Sequence, residues 1–265
     1  MRIYLLSDIH LEVFTDRRES YRPSLDGIDV VVLAGDIDKG PRALAWARRT
    51  FPCRVVYVAG NHDYWGEHLQ KMQAKLREAS DDRVRYLERD EAIIDGVRFL
   101  GATAWTNFAC LGDVNLGKLV SRSTMTDYQR IRAGSGYGPF RTEHWEAENA
   151  AARLFFCEKL SENFAGPTVV VTHHAPVLEH AHNYVPTMYD RRNGIAGLDA
   201  SYCNNWRDLV FGDPAKGIKP PAAWLWGHTH EAIDKVVDGV RLASNPFGWG
   251  DYEETGFNPE LVIEV

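Results

Sequence analysis

Five short apolar runs in this chain each end on side chains able to ligate a metal. Ile3 to Leu6 precede Asp8 and His10, Val30 to Ala34 precede Asp36, and Val55 to Val58 precede Asn61, His62 and Asp63. Val169 to Val171 precede His173 and His174, and Ala223 to Trp226 precede His228 and His230. Runs this rich in β-branched residues, with no polar alternation, suit strands buried on both faces. Open α/β sheets place their ligands beyond the carboxyl ends of such strands. Taken singly, each block has an ordinary explanation, since Asp and Gly make turns and a lone His is usually a satisfied polar group. Taken together, the blocks predict one metal-centred site, organised around Asp36 on its glycine turn.

The start of the chain reads strand, helix, strand, helix, which predicts a parallel centre with helices outside. Pro41 opens a helix over Arg42 to Thr50, and Leu69, Met72, Leu76 and Ala79 lie at helical spacing within Glu67 to Ala79. Asp95-Gly96 and Asp238-Gly239 then mark hairpins, the first between Ala92–Asp95 and Val97–Ala102, the second between Ile233–Val237 and Val240–Ala243. A closing strand is expected over Leu261 to Val265. Thr142 is expected to cap a helix over Glu143 to Asn163 that buries Ala151, Leu154, Phe155 and Leu160. The expectation is an α/β protein of two mixed sheets packed face to face, forming a single domain over 1–265. Segments 106–140 and 178–221 show no clear period and are expected to be insertions that line the pocket.

Charge and cysteine usage narrow the setting. A net charge of −7, with Lys and Arg scattered, gives no basic stripe for a phosphate backbone. Bound divalent ions would add positive charge that the formal count omits, so nucleic acid is a less favoured partner rather than an excluded one. Cys53, Cys110, Cys157 and Cys203 form no CxxC and read as reduced thiols. The first strand begins at Arg2, leaving no room for a secretory signal, and no apolar run approaches the roughly 20 residues that span a bilayer. A cytoplasmic protein without membrane contact is expected. Nothing in the sequence bears on oligomeric state.

Two divalent ions held about 3.5–4 Å apart need a bridging anion, and Asp36 is placed for it. Asp8 and His10 can face one ion, and Asn61 can offer its amide oxygen to the other. His228 and His230 are also two residues apart, a spacing that points alternate side chains the same way. Ligation by Asp, Asn and His without thiolate suits manganese, iron, cobalt or zinc better than calcium or magnesium. Such a pair would activate a bridging hydroxide for in-line attack on phosphorus. His62, next to Asn61, is expected to help the leaving group, with Asp63 or Asp38 orienting its ring. The alternative is that His62 is only a hydrogen-bonding neighbour of the ligands.

The blocks Asp8-Ile9-His10, Gly35-Asp36, Gly60-Asn61-His62-Asp63, His173-His174 and Gly227-His228-Thr229-His230, in this order, resemble the calcineurin-like metallophosphoesterase superfamily. The resemblance implies a four-layer α/β/β/α sandwich with a dinuclear centre at the strand ends. It implies one ion held by Asp8, His10, Asp36 and His230, a second held by Asp36, Asn61, His173 and His228, and His62 as the catalytic histidine. By the same resemblance His173 is the ligand and His174 a pocket residue. The family pattern often reads Gly-Asp-x-x-Asp, followed in the protein phosphatases by Arg. Here Asp38 comes one place early and Lys39 takes the later position, which disfavours a protein Ser/Thr phosphatase. The implied activity is hydrolysis of a phosphomonoester or phosphodiester, here expected to be of a small molecule; apart from the resemblance, His174, Tyr128 and Arg130 are expected to contact substrate. Two alternatives stand: a nuclease or cyclic-nucleotide phosphodiesterase, with Trp105, Tyr128 or Tyr184 stacking on a base, and a non-catalytic metal-binding scaffold.

Overall fold

The apolar runs become strands, and their alternation shows how the layers stack. A computed structural model describes residues 1–182, 191–192, 195–250 and 253–265. Its main strands are β1 (Arg2–Leu6), β2 (Val30–Ala34), β3 (Arg54–Val58), β4 (Val84–Tyr86), β5 (Asp90–Ile94) and β6 (Val97–Ala102). These are followed by β7 (Thr168–Thr172), β8 (Ala223–Trp226), β9 (Ile233–Val237), β10 (Val240–Ser244) and β11 (Val262–Glu264). The longer helices are α1 (Pro41–Thr50), α2 (Leu69–Ala79), α3 (Val114–Thr124) and α4 (Thr142–Ser161).

One sheet has the order β11-β1-β2-β3-β4, and the other has β9-β10-β8-β7-β6-β5. β1 to β4 run parallel, with β11 antiparallel at one edge. In the second sheet β10, β8, β7 and β6 are parallel, and the antiparallel edges β9 and β5 arrive through the two Asp-Gly turns. Asp95 and Gly96 have φ of 48° and 84°, and Asp238 and Gly239 have 48° and 83°, the left-handed pair that a tight hairpin requires.

Successive side chains of each strand go to opposite faces, and the cores follow that period of two. Ile3, Leu5, Val30 and Val32 of the first sheet meet Phe99, Val169, Val171 and Leu225 of the second. Tyr4, Leu6, Val31 and Leu33 turn the other way, against Leu44 and Ala47 of α1 and Leu69 and Leu76 of α2. On the far side, Leu100, Val170 and Trp224 pack on Ala152, Phe156 and Leu160 of α4. Three cores between four layers make the α/β/β/α sandwich.

Two elements depart from the sequence reading. α4 begins at Thr142, with Arg141 at the N-cap position donating its N–H to His144 Nδ1, and its buried face carries Trp145, Asn149, Ala152, Phe156 and Leu160. Leu154, expected inside, is 61% exposed. The phase is set by Asn149, whose amide donates to the Trp105 carbonyl and to Asn204 Oδ1. A polar residue thus holds an inner position that an apolar count passes over. Segment 106–140 contains α3, whose buried residues are Gly117 and Ser121, so its inner face leaves no hydrophobic period to read. No helix among the described residues is long and apolar enough to cross a membrane, and all four cysteines are free.

Candidate metal centre

The site begins with backbone that folds back on itself. Asp8, His10, Asp36, His228 and His230 all have φ between 50° and 64°, a left-handed conformation that costs a non-glycine residue roughly 1–2 kcal/mol. Hydrogen bonds between strand ends hold these turns. Asp8 N–H donates to Gly35 O and His10 N–H to Asp36 O, each at 3.0 Å. His228 N–H donates to the Asp8 carboxylate at 3.0 Å, and His62 N–H to Asp36 Oδ1 at 2.9 Å. Gly60 is required by proximity, because a Cβ there would lie 2.0 Å from Asp36 Oδ1.

Those turns gather seven side chains. Asp8, His10 and His230 form one group of potential ligands, and Asp36, His173 and His228 another, with the ligand atoms of each group within 4.8 Å of one another. His10 Nδ1 lies 3.1 Å from Glu12, and His230 Nδ1 lies 2.6 Å from Glu253. With both Nδ1 atoms directed to carboxylates, the two Nε2 atoms lie 3.3 Å apart, and that of His230 is 3.4 Å from Asp8 Oδ1, so two ring nitrogens and a carboxylate converge on one point. His173 donates from Nδ1 to Ala34 O at 2.8 Å, leaving Nε2 3.1 Å from Asn61 Oδ1 and 3.5 Å from Asp36 Oδ2. His228 Nε2 is buried with no hydrogen-bond partner among the described residues. Burial opposes charge on Asp8 and Asp36, but His230 for Asp8, and His173 and His62 for Asp36, outweigh it and hold both carboxyls below the usual carboxylate range. Carboxylate oxygens, an amide oxygen and imidazole nitrogens without thiolate fit borderline divalent ions, whose binding would displace the imidazole protons.

His62 sits beside this cluster, with Nε2 4.0 Å from Asp36 Oδ2. Its expected partners are elsewhere. Asp63 accepts from Tyr57 Oη and from the N–H groups of Gly60 and Asp36, so it staples the turns after β2 and β3. Asp38 is paired with Arg18 and Arg42 at 2.7 and 3.0 Å. The carboxylate on His62 Nδ1 is Glu12, at 2.8 Å. Burial works against charge on His62, but Asp36 and Glu12 outweigh it and raise its pKa above the ordinary histidine value. Burial likewise opposes ionisation of Glu12, but hydrogen bonds to His10 and His62 lower it to about 2. The sequence carried a signal for Glu12: it lies two residues beyond His10, the same interval that joins Asp8 to His10.

Residues 1–232 match the family model described as calcineurin-like phosphoesterase. The chain belongs to that family. This phosphoesterase is also 23% identical over 290 residues to an uncharacterized protein, L509, of Acanthamoeba polyphaga mimivirus, covering 98% of this chain and 95% of that one. Among solved structures it resembles the phosphopantetheinyl hydrolase PptH of Mycobacterium tuberculosis, with a TM-score of 0.66 and 19% identity over 93% of this chain and 89% of that one. That second likeness is one of fold.

The phosphoesterase's candidate ligands open into a cavity of about 230 Å³ walled by Trp65, Thr124, Met125, Asp127, Tyr202 and Trp249. Three aromatic rings back three histidines: Trp65 stacks on His62 at 3.5 Å, Trp249 on His10 at 4.2 Å, and Tyr202 on His228 at 4.4 Å. The expected substrate contacts are not among the wall residues. His174 is buried behind His228, its Nδ1 3.2 Å from Thr103 O, and burial pushes its pKa down to about 3. Tyr128 bonds Ser121 and lines a separate hollow with Arg122 and Arg141. Arg130 lies exposed, its guanidinium 5.8 Å from the Trp65 ring. Trp105 is buried against Trp145 and Phe140, with no face free for a base. Tyr184 lies outside the described residues.

Proposed function

We propose that this phosphoesterase hydrolyses a phosphomonoester or phosphodiester of a small molecule at a two-ion centre formed by Asp8, His10, Asp36, Asn61, His173, His228 and His230. Asp8, His10, Asp36 and His230 would hold one ion, and Asp36, Asn61, His173 and His228 the other. Bound there, divalent ions such as manganese, iron, zinc or cobalt supply Lewis acidity to a phosphoryl group and lower the pKa of water. The observation that carries this reading is the convergence of the His10 and His230 Nε2 atoms beside Asp8, together with a buried His228 Nε2 that has no hydrogen-bond partner among the described residues.

The chain's own residues supply the remaining chemistry. Glu12 accepts the Nδ1 proton of His62, and Trp65 covers one face of the ring, so Nε2 is left to deliver a proton to the departing oxygen. Acid assistance of this kind is worth about 10²–10⁴-fold. The aromatic walls formed by Trp65, Tyr202 and Trp249 suit a compact substrate that packs against them. The four free cysteines support a reducing compartment such as the cytoplasm.

The deciding experiment loads the protein with Mn²⁺ and compares 4-nitrophenyl phosphate with bis(4-nitrophenyl) phosphate, alongside a panel that includes a phosphopantetheinyl ester. Metal-dependent turnover of at least one ester is expected. Two bound ions with no hydrolysis across the panel would favour a metal-binding scaffold.

A further inference from the structure

The segment between β6 and α4 sends one buried carboxylate to the metal centre. Asp127 is 0% exposed and begins the helical turn Asp127–Arg130. Its Oδ1 accepts from Asn61 Nδ2 at 3.0 Å and from Trp65 Nε1 at 3.1 Å, while Oδ2 has no hydrogen-bond partner among the described residues. An oxygen already accepting from the Trp65 N–H can pair only with a donor, so it selects the NH₂ end of the Asn61 amide and leaves Asn61 Oδ1 toward His173. A flipped amide would set oxygen against oxygen and turn a donor toward the site where a cation belongs. Trp65, held by the same oxygen, is the ring stacked on His62.

We propose that Asp127 is a positioning residue that fixes the ligating end of Asn61, and through Trp65 the plane of His62, from outside the sheets that carry the ligands. The inference rests on the two-ion reading of the site. The segment does not need this carboxylate in order to dock: Gly66 N–H donates to Arg130 O at 2.8 Å and Arg132 N–H to Glu67 O at 2.9 Å. Variants at position 127 are therefore expected to fold.

The test is calorimetric titration of Mn²⁺ into the full-length, metal-stripped protein, with thermal melts of each variant. Loss of an orienting partner typically costs a metal site about 10–100-fold in affinity. Asp127→Ala should lose that much at one of the two ions and leave the other unchanged, in a metal-free chain that still melts in one cooperative step. Asp127→Asn keeps an acceptor oxygen and should restore the lost ion. As a check independent of the Ala variant, Asn61→Asp should lose an ion in the native background and regain it with Asp127→Asn, because the exchange inverts donor and acceptor. An unchanged isotherm for Asp127→Ala, equal loss at both ions, or no rescue by Asp127→Asn would overturn the assignment. A native chain that binds two Mn²⁺ and hydrolyses no ester would overturn the proposed activity and leave this assignment standing.

Discussion

Glu12 shows how much one side chain can govern. Its Oε1 meets the Nδ1 atoms of both His10 and His62, so a single oxygen orients a prospective ligand and a prospective acid. Glu12→Gln should lower Mn²⁺ affinity about 10–100-fold by titration, through His10. It should also move the alkaline limb of the pH–rate profile to lower pH. The sign follows because Glu12 helps raise the His62 pKa; without that charge the ring gives up its proton earlier as pH rises. His62→Ala, by contrast, should keep both ions by elemental analysis and lose about 10²–10⁴-fold in turnover. Asp36→Asn should weaken both ions, and loss of one alone would place the bridge elsewhere. At this scale the ligand candidates were legible because each follows an apolar run. Glu253 and Asp127 were not, because one sits in a late loop and the other in a segment without apolar rhythm, and no local spacing ties either to a ligand.

Among the elements, the turns after the strands matter more than the strands. The approach of Gly60 to Asp36 leaves no room for a methyl group, so Gly60→Ala should abolish Mn²⁺ binding in titration even if the melt shows a folded chain. The phase of α4 can be tested separately by denaturant unfolding. Phe156→Ala should cost about 3–5 kcal/mol as a buried aromatic, whereas Leu154→Ala, on the solvent side, should stay within about 0.5 kcal/mol. The hairpins could be read from Asp-Gly alone, since few other pairs tolerate two left-handed residues. The phase of α4 could not, because its register depends on hydrogen bonds from Asn149 to Trp105 and Asn204, partners distant in sequence.

The molecule as a whole brings together candidate ligands from two sheets. Asp8, Asp36 and Asn61 follow strands of one sheet, while His173, His228 and His230 follow strands of the other. The layered fold was legible because strands buried on both faces leave an unbroken apolar run, as Val30 to Ala34 does. The loop contributions were not, because Tyr202 and Trp249 reach the cavity through tertiary packing alone. A chelator should lower the melting temperature as well as the activity, since a ligand at about 100 times its dissociation constant adds roughly 2.7 kcal/mol to folding. An identical melt with and without excess Mn²⁺ would argue against a centre shared by the sheets.

The hydrogen bond from His228 N–H to Asp8 joins chain positions 220 residues apart, directly at the rim where those ligands meet. Ions seated there would act as rivets between the first and last thirds of the polypeptide. Starvation for transition metal would then shorten the protein's lifetime, because an unriveted rim opens to proteases, and abundance would follow metal supply without any dedicated sensor.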